Sequence, residues 1–465
     1  MLNTLWLGLI LLAVLIGGFT GQMSQVVDGA VDGAQSAVTL AIGLIGVMAV
    51  WLGLMRLAEK AGLVQALARA LRPLLRRLFP DVPAEHPAMG SIVMNLAANM
   101  LGLTNAATPL GLRAMKDLES LNPTPGTATN AMCTFLAINT SSVQLIPMSA
   151  IAILAASGAA NPTAIVGTAL VATACSTAAG ITAVKGLEKL RAFRLPVIRG
   201  RADNDAPAMP NGPASRALGT SESGTQPAAS GEPDPPGSPS PESVPALPGW
   251  AALALVLFVG CFAWFLLRLV FPAAFGGDPA PAAAGPHPFV RGVNAVALLA
   301  IPFLVAFFPL YAALRRIPVY EEFVEGAKEG FQVGVRIIPF LAAMLVAIGM
   351  FREAGGVDLL TRALRPMLDR LGFPPELLPM ALMRPLSGTG SLAVFTDLVK
   401  QYGPDHLLVR MAGTLFGSTE TTFYVVAIYF GAVGVKRTRH AVPAGLIADA
   451  VGIIASVMVC RLVFR

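Results

Sequence analysis

The sequence contains few charged residues. Asp, Glu, Lys and Arg together make up 13% of its 465 residues, whereas an ordinary soluble domain has roughly 25%. Hydrophobic residues, in contrast, reach 55%. So small a share of charge is not typical of a soluble enzyme, and the composition indicates that most of the chain lies in lipid.

Cysteine and histidine are also scarce, with four residues of each. The cysteines fall inside apolar stretches without a Cys-X-X-Cys spacing, so they predict neither a disulfide framework nor a zinc site. The histidines are dispersed and form no ligand set. The sequence also lacks a phosphate-binding GxxxxGK[ST] loop. We therefore expect no metal, no cofactor and no ATPase within the chain.

The net charge is +6, but the basic residues do not form the single patch that nucleic-acid binding requires. They flank apolar segments instead, in clusters at 72–77, 185–191 and 315–316. Such clusters favour the cytoplasmic side of a bilayer. We therefore expect no nucleic-acid partner, and we expect a multi-pass protein of the bacterial cytoplasmic (inner) membrane.

Apolar runs long enough to cross a bilayer, about 17 to 25 residues, recur along the chain. A longer uncharged stretch at 127–184 is interrupted between Gly158 and Pro162, which predicts a hairpin of two helices. The other runs lie at 2–19, 38–55, 249–267, 292–314, 331–351, 411–435 and 441–460. The sequence thus predicts an all-α integral membrane protein with about eight transmembrane helices.

The segment 199–248 differs from its surroundings because it is rich in Pro, Ser, Gly and Ala and has almost no large apolar residues. It cannot bury enough surface to offset the entropy of ordering, so we predict a disordered linker. The linker separates a first membrane module, 1–198, from an extra transmembrane helix and loop, 249–289. A second membrane module follows at 290–465.

The two modules present similar features in the same order. The motif ALRPLL at 70–75 is echoed by ALRPML at 363–368, and MCTFL at 132–136 pairs with the segment 411–416. Internal repeats of this kind are common in transporters. Because one unmatched span, 249–267, lies between the copies, the second copy would enter the bilayer in the opposite direction. We therefore expect an inverted repeat.

Each module carries polar residues in uncharged, apolar surroundings, next to glycines and prolines that break helices. In lipid an unsatisfied polar group costs several kcal/mol, so irregular polar segments must be buried in protein or line water. The first module contributes Asn95, Asn99, Asn105, Asn139, Thr140, Ser141 and Ser142, and the second contributes Ser387, Thr389, Ser391, Ser418, Thr419, Glu420 and Thr421. We predict two re-entrant or broken helical hairpins, with long helices opening at the clusters 139–142 and 418–422. The residues would bind substrate; the alternative is that they only join helices.

Two acidic residues, Glu420 and Asp449, lie within predicted spans. An ionisable side chain at this depth is costly and by default indicates a solute pathway, a proton relay or a paired charge. We predict that both couple transport to a proton or ion. The alternatives are a salt bridge from Glu420 to Arg384 or Arg410, and a hydrogen bond from a neighbouring hydroxyl group to Asp449.

Several of these motifs resemble those of a known family. They are MNLAAN at 94–99, the segments 102–111 and 139–147, GTGS at 388–391 and GSTETTFY at 417–424. With them, the chain resembles the spore maturation proteins A and B joined end to end. The resemblance to the first covers about residues 1–195, and the resemblance to the second covers about residues 290–465.

Both modules are also similar to the nucleoside recognition, or Gate, module. That module resembles part of the membrane domains of ferrous-iron transporters and concentrative nucleoside carriers. The resemblance implies two Gate modules with paired re-entrant hairpins and a solute path. Iron is a poor candidate as cargo, because this sequence lacks an attached GTPase and a cluster of metal-ligating residues at the hydroxyl-rich segments.

Our first functional hypothesis is a secondary transporter or permease for a small polar solute, with a nucleoside-like molecule as one candidate. The rival hypothesis is a structural or assembly factor for spore maturation or the cell envelope, without transport activity. We do not expect an enzyme, because no nucleophile motif accompanies the two buried acids. The expected partners are the lipid bilayer, the solute, a proton or cation, and further copies of the chain in a homo-oligomer.

Overall fold

The computed structural model describes residues 2–83, 85–102, 104–141, 144–193, 249–275, 287–370 and 372–464. Within these ranges the regular structure is helical, apart from an isolated bridge between Thr127 and Arg437. The all-α membrane fold predicted from the composition is thereby confirmed. The predicted linker, 199–248, lies outside the described residues.

Eight helices are described in the first module and eight in the second, with one helix between them. The first eight are α1 (Leu2–Thr20), α2 (Met23–Lys60), α3 (Leu63–Leu78), α4 (Pro87–Met100), α5 (Thr104–Glu119), α6 (Asn130–Thr140), α7 (Met148–Ala156) and α8 (Ile165–Leu187). The intervening helix is α9 (Gly249–Val270). The last eight are α10 (Pro288–Leu314), α11 (Val319–Glu353), α12 (Gly356–Arg370), α13 (Leu378–Met383), α14 (Gly388–Tyr402), α15 (Leu407–Ser418), α16 (Thr422–Gly431) and α17 (Ala441–Val463).

The two sets of helices follow the same order. A long helix (α2 or α11) precedes an amphipathic helix with an internal proline, Pro73 in α3 and Pro366 in α12. A hairpin comes next, α4–α5 or α13–α14, and then a broken pair, α6–α7 or α15–α16. Each set ends on a helix of 23 residues, α8 or α17. Only α9 has no equivalent among the described helices.

The long helices α2 and α11 run antiparallel and touch along most of their lengths. Gly29, near the start of α2, lies against Gly349 near the end of α11, and Gly53 lies against Phe323 at the opposite end. A Cβ atom placed on Gly33 would come within 2.5 Å of the carbonyl oxygen of Leu345. Small residues allow two membrane helices to approach backbone to backbone, which explains the glycines in this contact.

The final helices α8 and α17 also pair antiparallel. The Ser176 hydroxyl group donates to the Ala448 carbonyl oxygen over 2.9 Å. On the same face, Gly180 approaches Ala448 and Gly452 approaches Ser176. Equivalent helices that pair antiparallel are what an inverted repeat produces, because a pseudo-two-fold axis in the membrane plane exchanges the two copies.

Five helices, or six with one bent pair, are long and apolar enough for complete spans among the described residues. By length and composition, α2, α8, α9, α10 and α17 could each cross a membrane, and the pair α11–α12, bent by 68°, could provide a sixth crossing. Two of the predicted runs, in 127–157 and 411–435, are instead broken into α6–α7 and α15–α16. The breaks fall at the hydroxyl-rich clusters, which therefore follow short helices and do not open long ones.

Candidate functional site

The two broken spans meet where their helices are interrupted. In the first span the chain leaves α6 after Thr140 and enters α7 at Met148; in the second it leaves α15 after Ser418 and enters α16 at Thr422. The Glu420 backbone N–H donates to the Thr140 carbonyl oxygen over 2.8 Å. Backbone groups at helix ends lack partners within their own helix. This hydrogen bond therefore gives a partner to one backbone group of each break.

Glu420 lies at this junction with its side chain between two modules. One carboxylate oxygen accepts a hydrogen bond of 3.2 Å from the Gln144 amide, which belongs to the first break. The other oxygen lies 3.8 Å from a terminal guanidinium nitrogen of Arg384. The Glu420 side chain is 35% exposed, so the carboxylate remains accessible to water or to a solute.

Arg384 lies between α13 and α14 and is 2% exposed. Its guanidinium donates to the Thr419 carbonyl oxygen and stacks over the Phe416 ring, 4.4 Å from the centroid. Its Nε atom has no hydrogen-bond partner among the described residues. Burying a cation is costly unless it is paired and hydrogen-bonded, and the nearest carboxylate, that of Glu420, pairs with it only loosely.

One cavity, which we call the arginine cavity, opens on this pair and has a volume of about 280 Å³. Its wall combines α2, the first break, the start of α7 and the second module's loop before α14. The lining residues are Met48, Trp51, Leu52, Gly102, Gln144, Ile146, Pro147, Met148, Ser149, Arg384, Gly388, Phe416 and Glu420. Charged, polar and aromatic residues thus line a cavity that is large enough for a small solute.

A second cavity, the asparagine cavity, has a volume of about 190 Å³ and also reaches Glu420. Asn99 and Asn139 are among its lining residues, the leucines of the amphipathic helix α3 close one side, and most of the wall is apolar. The other lining residues are Leu71, Leu74, Leu75, Leu78, Leu96, Met100, Ile138, Thr177 and Ile181. Glu420 is therefore a lining residue of both cavities.

Three of the predicted asparagines form a hydrogen-bonded chain beside the second cavity. Asn99 Nδ2 donates to Asn139 Oδ1 over 2.9 Å and lies 3.4 Å from Asn95 Oδ1. Asn95 is fully buried, and its Nδ2 donates to the Ala107 carbonyl oxygen over 2.7 Å. The Tyr429 hydroxyl group, 3.4 Å from Asn95, connects this chain to α16 of the second module.

Most of the predicted hydroxyl groups bond to backbone close to them. The side chains of Thr140, Ser141 and Ser418 donate to carbonyl oxygens three residues earlier, and Ser391 donates to the carbonyl oxygen of Ser387. These side chains bond to backbone of the same or the adjoining turn and are not among the residues that line either cavity.

The remaining predicted residues have mixed environments. Ser387 caps α14 by accepting from the Gly390 backbone N–H, with Thr389 3.3 Å away. Thr419 and Thr421 are buried beside the second break. Ser142 lies outside the described residues, and so does the side chain of Asn105.

Asp449 occupies the packed interior beside α16. It is 2% exposed, and one of its carboxylate oxygens accepts a hydrogen bond of 2.6 Å from the Thr422 hydroxyl group. It is not among the residues that line the arginine or asparagine cavity. The structure therefore does not bring the two predicted coupling residues to one cavity, and Glu420 alone reaches the open space.

Sequence reasoning did not select Gln144, Trp51, Phe416 or Tyr429, and it treated Arg384 only as a salt-bridge partner. Arg384 had a detectable signal, because it is a single cation in an otherwise apolar segment that begins a broken helix. The other four residues are of types that are common in apolar spans. Their position at the site follows from long-range packing between modules.

Known proteins resemble this chain over both modules. A family model described as nucleoside recognition, named Gate, matches residues 41–158 and 334–436. Spore maturation protein B of Bacillus subtilis (strain 168) is 45% identical over 172 residues, which are 37% of this chain and 97% of that protein. Spore maturation protein A of the same organism is 43% identical over 176 residues, which are 38% of this chain and 90% of that protein.

No solved structure matches the chain. The two relatives match different parts of it, as expected for a fusion of two proteins that are separate in Bacillus subtilis. The Gate regions contain both helix breaks and the loop that carries Arg384. The chain is therefore a multi-pass membrane protein that belongs to the spore maturation protein A and B family, with an A-like and a B-like module in one polypeptide.

Proposed function

We propose that this protein is a permease of the bacterial cytoplasmic (inner) membrane for a small polar solute, without an ATPase of its own. The observation that carries the proposal is the position of Glu420. This residue lines the arginine cavity and the asparagine cavity, and it lies where two broken helices from opposite copies of an inverted repeat meet. Transporters built from inverted repeats bind their substrates at such junctions of discontinuous helices.

The two cavities support a path through the protein and not a single closed pocket. A solute in the arginine cavity would contact Glu420, Arg384 and Gln144, and a solute beyond Glu420 would meet Asn99 and Asn139. Motion of the Glu420 side chain, or of the α6–α7 and α15–α16 halves that meet there, would connect the two spaces. Glu420 can also carry a proton or pair with a cation, which would couple solute movement to an ion gradient.

The experiment compares Glu420→Gln with the wild type in two measurements on the full chain. The first is the melting temperature of detergent-purified protein with nucleosides, organic acids, amino acids and divalent metals. A ligand at 100 times its Kd stabilises the folded state by about 2.7 kcal/mol. The second is uptake of the stabilising solute into proteoliposomes. We expect a solute that stabilises the wild type and enters vesicles, with both effects lost in Glu420→Gln.

Glu322→Gln provides a matched control. Glu322 forms an ion pair with Arg56, 2.7 Å between the nearest atoms, and its side chain is 22% exposed, but it does not line either cavity. The control should keep binding and uptake. If Glu420→Gln only lowers the melting temperature and no solute is bound by the wild type, the rival interpretation, a structural or assembly factor in the membrane, gains support. The hydroxyl groups bonded to nearby backbone would then serve only to hold helix ends.

A further inference from the structure

The charges in the arginine cavity bear on the class of solute, an inference that rests on the proposed permease function. Arg384 and Glu420 are the charged residues among the described residues that line this cavity. They are neighbours on its wall, 3.8 Å apart at their closest atoms, and are of opposite sign. The cavity therefore has an anion-binding end next to a cation-binding end.

The anion-binding end is built from more than one group. The Arg384 side chain is almost completely buried, and its Nε lacks a hydrogen-bond partner among the described residues. Next to it, Gly388 is the first residue of the 15-residue helix α14 and also lines the cavity. A helix N-terminus carries partial positive charge, and glycine lets a ligand approach its backbone closely. A carboxylate here would meet the positive charge of the Arg384 guanidinium and the start of a helix.

The cation-binding end is Glu420. Its only described side-chain neighbours within hydrogen-bond or ion-pair distance are the neutral Gln144 amide and the Arg384 guanidinium at 3.8 Å. Since the side chain is about one-third exposed, an ammonium group can reach it from the cavity. Much of the remaining wall is apolar, formed by side chains such as Trp51, Leu52 and Met148.

We propose that the solute is a zwitterion, an α-amino acid with an apolar side chain. Its carboxylate group binds Arg384 and the start of α14, its ammonium group binds Glu420, and its side chain faces Trp51 and Leu52. A neutral solute would leave the buried Arg384 charge with only its loose partner Glu420, and a simple anion would add a second negative charge beside Glu420. A zwitterion supplies a partner of the correct sign at each end and leaves the net charge of the cavity unchanged.

The test uses three compounds of the same carbon skeleton: L-leucine, 4-methylpentanoate, which lacks the ammonium group, and 3-methylbutylamine, which lacks the carboxylate group. Binding to the full chain in detergent is measured by isothermal titration calorimetry. We expect L-leucine to bind most tightly and each analogue to bind about 10- to 100-fold more weakly, the usual effect of losing one charge-assisted hydrogen bond.

Two substitutions test the assignment of each end. Glu420→Gln should reverse the preference, so that 4-methylpentanoate binds at least as tightly as L-leucine, because the ammonium group loses its partner while Arg384 is released from its own. Arg384→Gln should weaken both carboxylates. Glu322→Gln should leave all three affinities unchanged. If Arg384→Gln does not fold, the reversal in Glu420→Gln still decides the proposal.

The outcomes separate the solute class from the permease function. Equal affinity of the wild type for L-leucine and 4-methylpentanoate would overturn the zwitterion in favour of a plain anion site. No binding of the three compounds, together with Glu420-dependent uptake of another solute, would overturn the zwitterion and leave the permease intact. Preferential L-leucine binding without uptake into proteoliposomes would support the zwitterion site and overturn transport.

Discussion

At the scale of single residues, the site is positioned by backbone contacts more than by side-chain charge. Glu420 is fixed through its backbone N–H, which donates to the Thr140 carbonyl oxygen, whereas its carboxylate has one 3.2 Å hydrogen bond and one loose ion pair. A side chain held in this way can change partners without breaking the helix junction. That freedom distinguishes Glu420 from Asp449, which is buried against Thr422.

Substitution of Asn95 and of Asn99 should distinguish an asparagine that stabilises the fold from one that contacts the solute. Asn95 is fully buried and donates to the Ala107 carbonyl oxygen, so Asn95→Ala leaves an unsatisfied buried group and should lower the free energy of unfolding by about 1–3 kcal/mol. Asn99 lines the asparagine cavity. Asn99→Ala should therefore reduce solute uptake with a smaller loss of stability. Thermal unfolding and proteoliposome uptake of the two variants check the difference, and equal loss of stability would mean that both residues only join helices.

Gly111 is required by the packing of Tyr429 against α5. A Cβ atom on Gly111 would lie 2.2 Å from the Tyr429 hydroxyl oxygen and 2.9 Å from Asn95 Nδ2. Gly111→Ala should therefore displace Tyr429 from the asparagine chain and destabilise the fold by about 1–3 kcal/mol, the usual cost of overpacking. The control is Gly90→Ala on α4, where a Cβ atom meets nothing within 4 Å. The melting temperature of Gly111→Ala should fall. That of Gly90→Ala should be unchanged or slightly raised, because alanine favours helix.

At the scale of helices, the local geometry around the two hydroxyl-rich clusters differs from the prediction. The clusters 139–142 and 418–422 were predicted to open long helices inside continuous apolar runs, whereas the structure interrupts both runs at the clusters. Their placement at the start of long helices was wrong. Each cluster follows a short helix, α6 or α15, and the next helix begins only after a break. Hydroxyl residues cap helix starts but also bond back to carbonyl oxygens at helix ends, so residue type alone does not give the direction.

The sequence pattern also does not predict which helices pair with each other. The repeat was visible in the motifs at 70–75 and 363–368, because similar sequences mark equivalent elements. Which elements touch depends on close approaches such as those of Gly29 with Gly349 and Gly33 with Leu345. Glycines are common throughout these spans, so their number does not reveal which ones lie at a contact between helices.

The contact between α2 and α11 should be the least tolerant helix pair to added bulk. A Cβ atom on Gly33 would lie 2.5 Å from the Leu345 carbonyl oxygen, which belongs to a rigid backbone and cannot move aside. Gly33→Leu should therefore separate the two helices and lower stability by at least about 1–3 kcal/mol. Gly46→Leu, on the same helix but with nothing within 4 Å of its Cβ position, is the control. Comparable unfolding of both variants in detergent would contradict the close approach.

At the scale of the whole molecule, the two modules are interlocked. Besides the pairs α2–α11 and α8–α17, the first helix of each module packs on the long helix of the other, α1 on α11 and α10 on α2. The core therefore belongs to both modules together. By contrast, α9 packs against α10 and the short turn that follows α9. The ring centroids of Phe262 in α9 and Phe303 in α10 are 5.2 Å apart. The helix that separates the repeats thus lies at the side of the shared core.

This arrangement predicts that the covalent connection at 199–248 is dispensable for assembly. If the chain is expressed as two pieces, 1–198 and 249–465, they should associate in the membrane and purify together, since each piece alone exposes the faces of α2 or α11 and of α8 or α17. Co-purification through a tag on one piece measures this. Gly33→Leu in the first piece should reduce the yield of the second piece, and Gly46→Leu should not. Recovery of either piece alone as a stable, monodisperse protein would contradict a shared core. It would instead favour two independent modules joined by a linker.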